Sequence, residues 1–358
     1  MLPARVRGYR PADLDALCAS GDLVWLGAEP LGADDGRLVL CFREQVRALA
    51  TGVSPVDPPE GELHEAIRTH LAERGASFWP DLVVASGTAD ERTLLRALWD
   101  LVWAGEVTND TLAPVRAFVR GASAKVRAVR PGSRPRPGAL RRQGPPAGAG
   151  RWSLVAGLVE PAPTSTEAAH ARALQLLDRH GVLTRESVLA ENTPGGFAGV
   201  YPVLKAMEEA GKVRRGYFVA GLGAAQFALP GAVDRLRSMR EAEPNVTVLA
   251  AADPAQPYGA SLDWPDSAGR PSRAAGAYVL LVDGAPAAYL ERGARSLATF
   301  GVDPSRWADA LASLVKDGRL RKIELRRIDG DPVADSAQAE ALREVGFLDG
   351  YRGLLLRG

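Results

Sequence analysis

The chain has 358 residues, enough for two or three domains with separate cores. Hydrophobic residues make up 46% and charged residues 24%, the balance of a soluble globular protein, and no apolar run approaches the ~20 residues that span a bilayer. Two cysteines, Cys18 and Cys41, without a CxxC spacing, and four histidines argue against a structural zinc site or a disulfide framework. No metal ligands are therefore assigned, and a reducing, cytoplasmic setting with no membrane contact is expected.

In chain order, YRPADLDALCASG (9–21) reads as a helix ended by a glycine cap, followed by VWLGAEPLGADDGRLVLCF, a hairpin turning at ADDG. Residues 1–53 thus read as a partial winged helix, a recognition helix and wing hairpin without the two preceding helices. A piece of a longer protein, or a winged helix completed by another part of an assembly, is expected. The same signature of apolar helix, glycine, charged residue and β-prone stretch recurs at 97–109, 203–218 and 310–325. For the middle two, an earlier helix ends at Gly75 and at Gly181, and the caps Gly105 and Gly211 each follow thirty residues later. Helix, short helix, helix and strand in that interval is the winged-helix plan, placing such domains at 62–120 and 153–240. In the first of these the third helix opens on Asp90 and Glu91, which suit a helix N-terminus but repel phosphate, so a packing role is expected. Phe78, Trp79, Trp99 and Trp103 read either as exposed aromatics of an interaction scaffold or, at helical spacing, as core.

The net charge of +1 hides an uneven distribution. From Gly121 to Val159 there is no acidic residue, while Lys125, Arg127, Arg130, Arg134, Arg136, Arg141, Arg142 and Arg151 fall within that stretch. Its proline and glycine content is too high to bury a core, and 121–152 reads as a flexible basic linker. It is either a solvated tether or a strap that contacts phosphate through residues such as Arg141 and Arg142.

Residues 207–229, MEEAGKVRRGYFVAGLGAAQFAL, offer two readings. A dinucleotide loop needs a helix after its glycines, but GLGAAQ leads into QFALPGAV, which is β-prone and stopped by Pro230. The other reading is a wing, with strand KVRRGYFV, a tight turn at Gly221 to Gly223 and return strand AAQFAL. On that wing Lys212, Arg214 and Arg215 sit at the strand entrance with Tyr217 and Gln226 across the hairpin, and Lys205 lies on the helix before it. These six are candidate nucleic-acid ligands, because arginine pairs with phosphate and stacks on bases, and tyrosine offers a stacking face. Alternatively Tyr217 and Phe218 fill the core and the arginines are solvated; since successive strand residues face opposite ways, one of the two rings is expected inward.

Residues 246–358 alternate short strands, a DG turn at Asp283 and two helices, an α+β domain with a curved, β-barrel-like sheet. The fold class is therefore α+β, tandem winged helices followed by a small β-barrel-like C-terminal domain. GxxxxGK[ST], GxSxG and HExxH are all absent, so no nucleotide motor and no cofactor is assigned to these residues. Asp253, after a strand, and Glu291, ending the strand AYLE, are the candidate catalytic carboxylates, as a base-removing enzyme needs one to steady an oxocarbenium-like sugar or activate water. Aspartates in turns more often satisfy backbone amides.

GRWSLV (150–155), HGVLTRESVLAENTPGGFAGVYPVLKAMEEAGKVRRGYFVAGLGAAQFALPGAVDRLR (180–237) and VLAAADPAQPYGASLDWP (248–265) resemble the C-terminal region of bacterial large helicase-related (Lhr) proteins. YRPADLDALCASGDLVWLG and SFWPDLVVASG extend the resemblance to nearly the whole chain. It implies a parent ATP-dependent DNA helicase acting in repair, with ATP and magnesium at a motor outside these residues. It implies as partners DNA, single-stranded or partly duplex, the helicase core of the same protein and a possible homo-oligomer. That region is also similar to AlkZ-type DNA glycosylases, which string winged helices onto a β-barrel, and uracil removal is attributed to some relatives. Their Gln-x-Gln or Gln-x-Asp motif is not matched here: Gln226-Phe227-Ala228 lacks the second polar group, and Gln338-Ala339-Glu340 falls in a surface helix. The leading expectation is a DNA-binding accessory module of a repair helicase. Its rivals are a glycosylase acting through Asp253 or Glu291, and a protein-interaction scaffold.

Overall fold

A computed structural model describes residues 6, 8–32, 36–50, 57–119, 144–223, 225–241 and 243–358. The chain divides between Ala173 and Leu174 into two compact units.

The first unit opens with helix α1 (Pro11–Ala19), strands β1 (Leu23–Pro30) and β2 (Gly36–Phe42), and helix α2 (Arg43–Leu49). β1 and β2 pair antiparallel from Leu23↔Phe42 to Pro30↔Gly36, the expected hairpin, although three residues of its turn, 33–35, lie outside the described residues. Next come α3 (Glu62–Arg74), β3 (Ser77–Phe78), α4 (Trp79–Ser86), α5 (Glu91–Trp103), β4 (Val107–Asn109), α6 (Ala113–Val119), β5 (Arg151–Leu154) and α7 (Ala156–Val159). The three strands β3-β5-β4 and helices α3 to α5 form a winged helix.

β5 is where the sequence reading and the structure part. Residues 144–152 were expected in the linker and 153–159 in the following winged helix, yet β5 is the central strand here, pairing Ser77↔Trp152 on one side and Val107↔Leu154 on the other. The physical reason is Trp152. Its ring is fully buried, edge-to-face with Trp25 (centroids 6.4 Å apart) and Trp99 (6.0 Å), and its indole N–H donates to the Gly148 carbonyl at 2.9 Å. An aromatic of that size with its one donor satisfied anchors a strand that the proline-rich composition around it does not suggest. The basic stretch is thus an insertion between the second and third strands of this winged helix. Residues 120–143, with Arg141 and Arg142, lie outside the described residues.

The β1/β2 hairpin shares the same core. Trp25 is fully buried among the tryptophans and its indole N–H donates to Thr111 O at 3.0 Å, while the Thr108 hydroxyl donates to Trp25 O. Gly27 rests on α5, so close that a methyl there would run into the Val102 carbonyl oxygen. Trp79, Trp99 and Trp103 are 2%, 2% and 5% exposed, which leaves only Phe78, at 53%, of the four aromatics a scaffold would have offered.

Helix α8 (Ser165–His180) carries the division between units. The second unit continues with β6 (Val182–Leu183), α9 (Arg185–Ala190), α10 (Gly196–Glu209), β7 (Arg214–Gly216), β8 (Gln226–Ala228) and α11 (Pro230–Ser238), with strand order β6-β8-β7. The four expected cap glycines, Gly21, Gly105, Gly211 and Gly318, have φ of 84°, 76°, 69° and 72°, the left-handed conformation that ends a helix.

The C-terminal domain holds β9 (Val246–Ala250), β10 (Tyr278–Val282), β11 (Ala285–Leu290), β12 (Ser296–Thr299), α12 (Ala308–Lys316), β13 (Lys322–Leu325), β14 (Arg327–Ile328), β15 (Asp331–Pro332), α13 (Ala339–Glu344), β16 (Leu348–Gly350) and β17 (Gly353–Arg357). One sheet runs β15-β14-β12-β11-β10-β9, antiparallel except between β12 and β14; the other is β13-β17-β16. Trp307, Leu311, Ile323, Phe347 and Leu354 pack with Leu280 and Leu290 into one core between them. The domain is α+β as expected, but among the described residues the larger sheet does not close into a barrel. β9 and β15 are its two edges, and β15 ends on Pro332, which has no N–H to offer a further strand.

Gly27→Ala is expected to lower the stability of the first unit by about 3 kcal/mol, because the clash is with backbone that cannot move aside. Urea unfolding followed by tryptophan fluorescence measures it; an unchanged midpoint would show that the hairpin is not seated on α5.

Candidate nucleic-acid interface

The wing of the second unit begins where α10 stops. Gly211 takes the left-handed cap, the Lys212 N–H donates to Met207 O at 2.8 Å, and β7 starts two residues later. β7 pairs antiparallel with β8 as Arg214↔Ala228, Arg215↔Phe227 and Gly216↔Gln226, leaving a nine-residue loop, 217–225. The loop is longer than the expected tight turn, and no helix follows GLGAAQ directly; α11 begins only at Pro230.

Gln226 holds that loop. It is fully buried; its Oε1 accepts from the Phe218 and Val219 N–H groups at 2.7 and 2.8 Å, and its Nε2 donates to the Val219 and Leu222 carbonyls at 3.0 and 3.1 Å. Two acceptor sites and two donors are everything a side-chain amide has, and all four are spent on the wing backbone. The expectation that Gln226 contacts DNA is therefore corrected: it is the internal brace of the wing.

With the backbone so held, the side chains divide. Phe227 is fully buried and Phe218 lies half-buried over Gly216, whereas Tyr217 is 90% exposed. Lys212, Arg214 and Arg215 are all exposed, and none has an ion-pair partner among the described residues. Lys205, on α10, is exposed and 3.8 Å from Glu209, a pair too solvated to hold it. Five of the six expected ligands on and just before this wing are thus exposed. By contrast α5, the third helix of the first unit, buries seven of its thirteen residues, and Asp90 caps it by accepting from the Arg92 and Thr93 N–H groups.

Comparisons with known proteins give the same outline. Residues 1–43 and residues 162–248 each match a family profile described as "Large helicase-related protein, winged-helix domain". A "Lhr helicase/ probable uracil glycosylase" of Mycolicibacterium smegmatis is 42% identical over 386 residues, covering 100% of this chain and 25% of that protein. A "Lhr helicase/uracil glycosylase" of Escherichia coli is 34% identical over 380 residues, covering 99% of this chain and 24% of that protein. The chain belongs to the large helicase-related family. It spans about a quarter of the length of these two relatives.

In this family member the two candidate catalytic carboxylates emerge from one end of the larger sheet. Ala250 of β9 and Leu290 of β11 both pair with Tyr278 of β10, so the loops carrying Asp253 and Glu291 leave the sheet on the same side. Their environments differ. Asp253 is 5% exposed, and its Oδ1 accepts from the Ala255 N–H at 2.8 Å, the backbone-satisfying role common for a turn aspartate. Glu291 is exposed at the turn between β11 and β12. Sequence reasoning missed the clamp on the Asp253 turn: fully buried Gln256 donates to Ala251 O and Tyr258 O, and Arg273 donates to Asp253 O and Gln256 O. Burial draws the Arg273 guanidinium below its usual range, while Asp253 and Glu191 favour its charge. Among the described residues no three His, Cys, Asp or Glu side chains form a metal site, and no helix is long and apolar enough to cross a membrane.

A second brace ties α8 to α9. Glu191 accepts from Arg179 and lies 3.2 Å from His180 Nε2. Burial alone pushes this carboxyl up, but those two partners more than offset it and hold it at about 2. A depressed carboxylate stabilises the fold above its ordinary value, and that contribution is lost as pH falls through the folded value. Glu191→Gln is expected to cost on the order of 2 kcal/mol at pH 7. It also removes the part of acid destabilisation that the native protein shows between about pH 4.5 and 2. Urea titrations at pH 7, 4 and 3 test both signs.

Gln226→Ala leaves the amides of Phe218 and Val219 without their acceptor. It is expected to raise backbone hydrogen exchange throughout 217–225 while leaving the exchange of α10 unchanged; a loop as protected as in the native protein would remove the brace from the account.

Proposed function

We propose that the chain is a DNA-binding accessory module of a repair helicase, engaging single-stranded or partly duplex DNA through the wing of its second unit. The observation that carries this is the wing itself: Lys212, Arg214 and Arg215 exposed without partners among the described residues, beside a tyrosine 90% in water. Arginine on an edge strand reaches phosphate without a desolvation penalty to overcome, and Tyr217 adds a face on which any base stacks. A helicase core with its ATP and magnesium, elsewhere in a longer protein, belongs to the same proposal, as do docking on that core, association with further copies and a cytoplasmic setting.

Replacing Arg214 and Arg215 together by alanine is expected to weaken binding to all sequences alike and to reduce the slope of log affinity against log salt by about 1–2. Fluorescence anisotropy with a labelled oligonucleotide across a salt series reads both. Affinity unchanged at every salt concentration sinks the wing as the DNA contact.

A second reading is supported by the shared sheet end of Asp253 and Glu291 and by the names of the relatives, which include uracil glycosylase. In that reading an exposed carboxylate takes a proton from water as the water adds to the sugar carbon and the bond to the base breaks. Glu291 suits it better than Asp253, whose carboxylate already serves its turn. Alkaline cleavage of a uracil-containing strand by the native chain, lost in Glu291→Gln, is the expected result; a strand left intact by the native chain ends this reading.

A further inference from the structure

Strands β16 and β17 form a hairpin whose register leaves two residues, Tyr351 and Arg352, between the paired Gly350 and Gly353. Two-residue hairpin loops ordinarily use Asn, Asp or Gly, because the favoured turns need positive φ. Here neither tip residue has positive φ; Gly353 takes it instead, at 138°, where a methyl would run into the Leu325 carbonyl oxygen. The base of the hairpin is fixed by Phe347 and Leu354, each 1% exposed in the core of the domain. The turn is therefore held from below, and nothing in its folding requires a large ring at its apex.

Yet Tyr351 is 99% exposed, and Leu348 on the same hairpin is 71% exposed. Of the seven tyrosines, only Tyr217 and Tyr351 are exposed, and both stand at hairpins next to arginines without ion-pair partners among the described residues. The hairpin's one carboxylate, Asp349, is already neutralised by Arg343, whose Nη2 donates to it at 3.0 Å. What remains at the tip is an aromatic face and a guanidinium with no ion-pair partner among the described residues.

We propose that this tip is a second nucleic-acid contact, in which Tyr351 stacks on an unpaired base and Arg352 meets the adjoining phosphate. Tyrosine supplies a sequence-tolerant stacking face, and arginine supplies the charge that an anionic strand needs. An uncompensated arginine at the apex favours a polyanion over a second copy of the same surface, which would set Arg352 against itself. The inference rests on the DNA-binding reading above but uses different residues, so the two can fail separately.

The test uses the full 358-residue chain and a labelled single strand containing 2-aminopurine, whose fluorescence reports stacking. Tyr351→Ala is expected to weaken single-strand binding at least about fivefold without changing the salt slope, and to abolish the change in 2-aminopurine fluorescence. Tyr351→Phe, which keeps the ring, is expected to restore both. Arg352→Ala is expected to lower the salt slope by about one. Should Tyr351→Ala bind the single strand like the native chain while the Arg214/Arg215 double variant is weakened, the tip is overturned and the wing stands. If the native chain binds no DNA at all, both readings fall. A change of mass in light scattering for Tyr351→Ala, with DNA affinity unaltered, would assign the tip to contacts between copies and overturn it.

Discussion

The nine-residue loop between β7 and β8 has backbone polar groups that a three-residue ladder cannot satisfy, and everything displayed on the wing depends on how they are met. One buried amide, Gln226, meets four of them from below. Because the bonds are made on the inner side, the side chains on the outer side are free. Phe227 and half-buried Phe218 supply the apolar footing, and the cations of β7 together with Tyr217 are left to water.

The same winged-helix plan is put to the opposite use in the first unit. Its third helix is covered by a hairpin whose glycine permits backbone contact, and the helix's own Trp99 and Trp103 pack into a core with Trp25, Trp79 and Trp152. Seven of the thirteen residues of that helix are buried. Its N-terminus is acidic and capped by Asp90. Strand β5, the central strand of this winged helix, follows a basic insertion whose composition alone suggests a boundary between domains.

In the C-terminal domain, similar residue types carry opposite roles according to burial. Asp253, Gln256 and Arg273 form a clamp in which polar groups serve backbone carbonyls and amides of one turn. Glu291, Tyr351 and Arg352 have no such duty and face solvent. Polar chemistry available to a ligand lies with the groups that the fold does not need.

The sequence by itself determined the periodic features: the four glycine-capped helices, the thirty-residue interval within each full winged helix, the wing at GLGAAQ, and the family. These are local, since a cap or a turn is decided by residues a few positions apart. Tertiary structure alone decided what depends on contacts distant in the chain. Trp152 became the anchor of a central strand through partners such as Trp25, far away in sequence, and Gln226 turned inward because the loop amides needed it. The open sheet, ended at Pro332, was equally out of reach, because short strands with alternating apolar residues look alike whether or not their edges meet. Residue type set which chemistry was possible at each position, and burial, which only the assembled fold defines, set which groups remained free to use it.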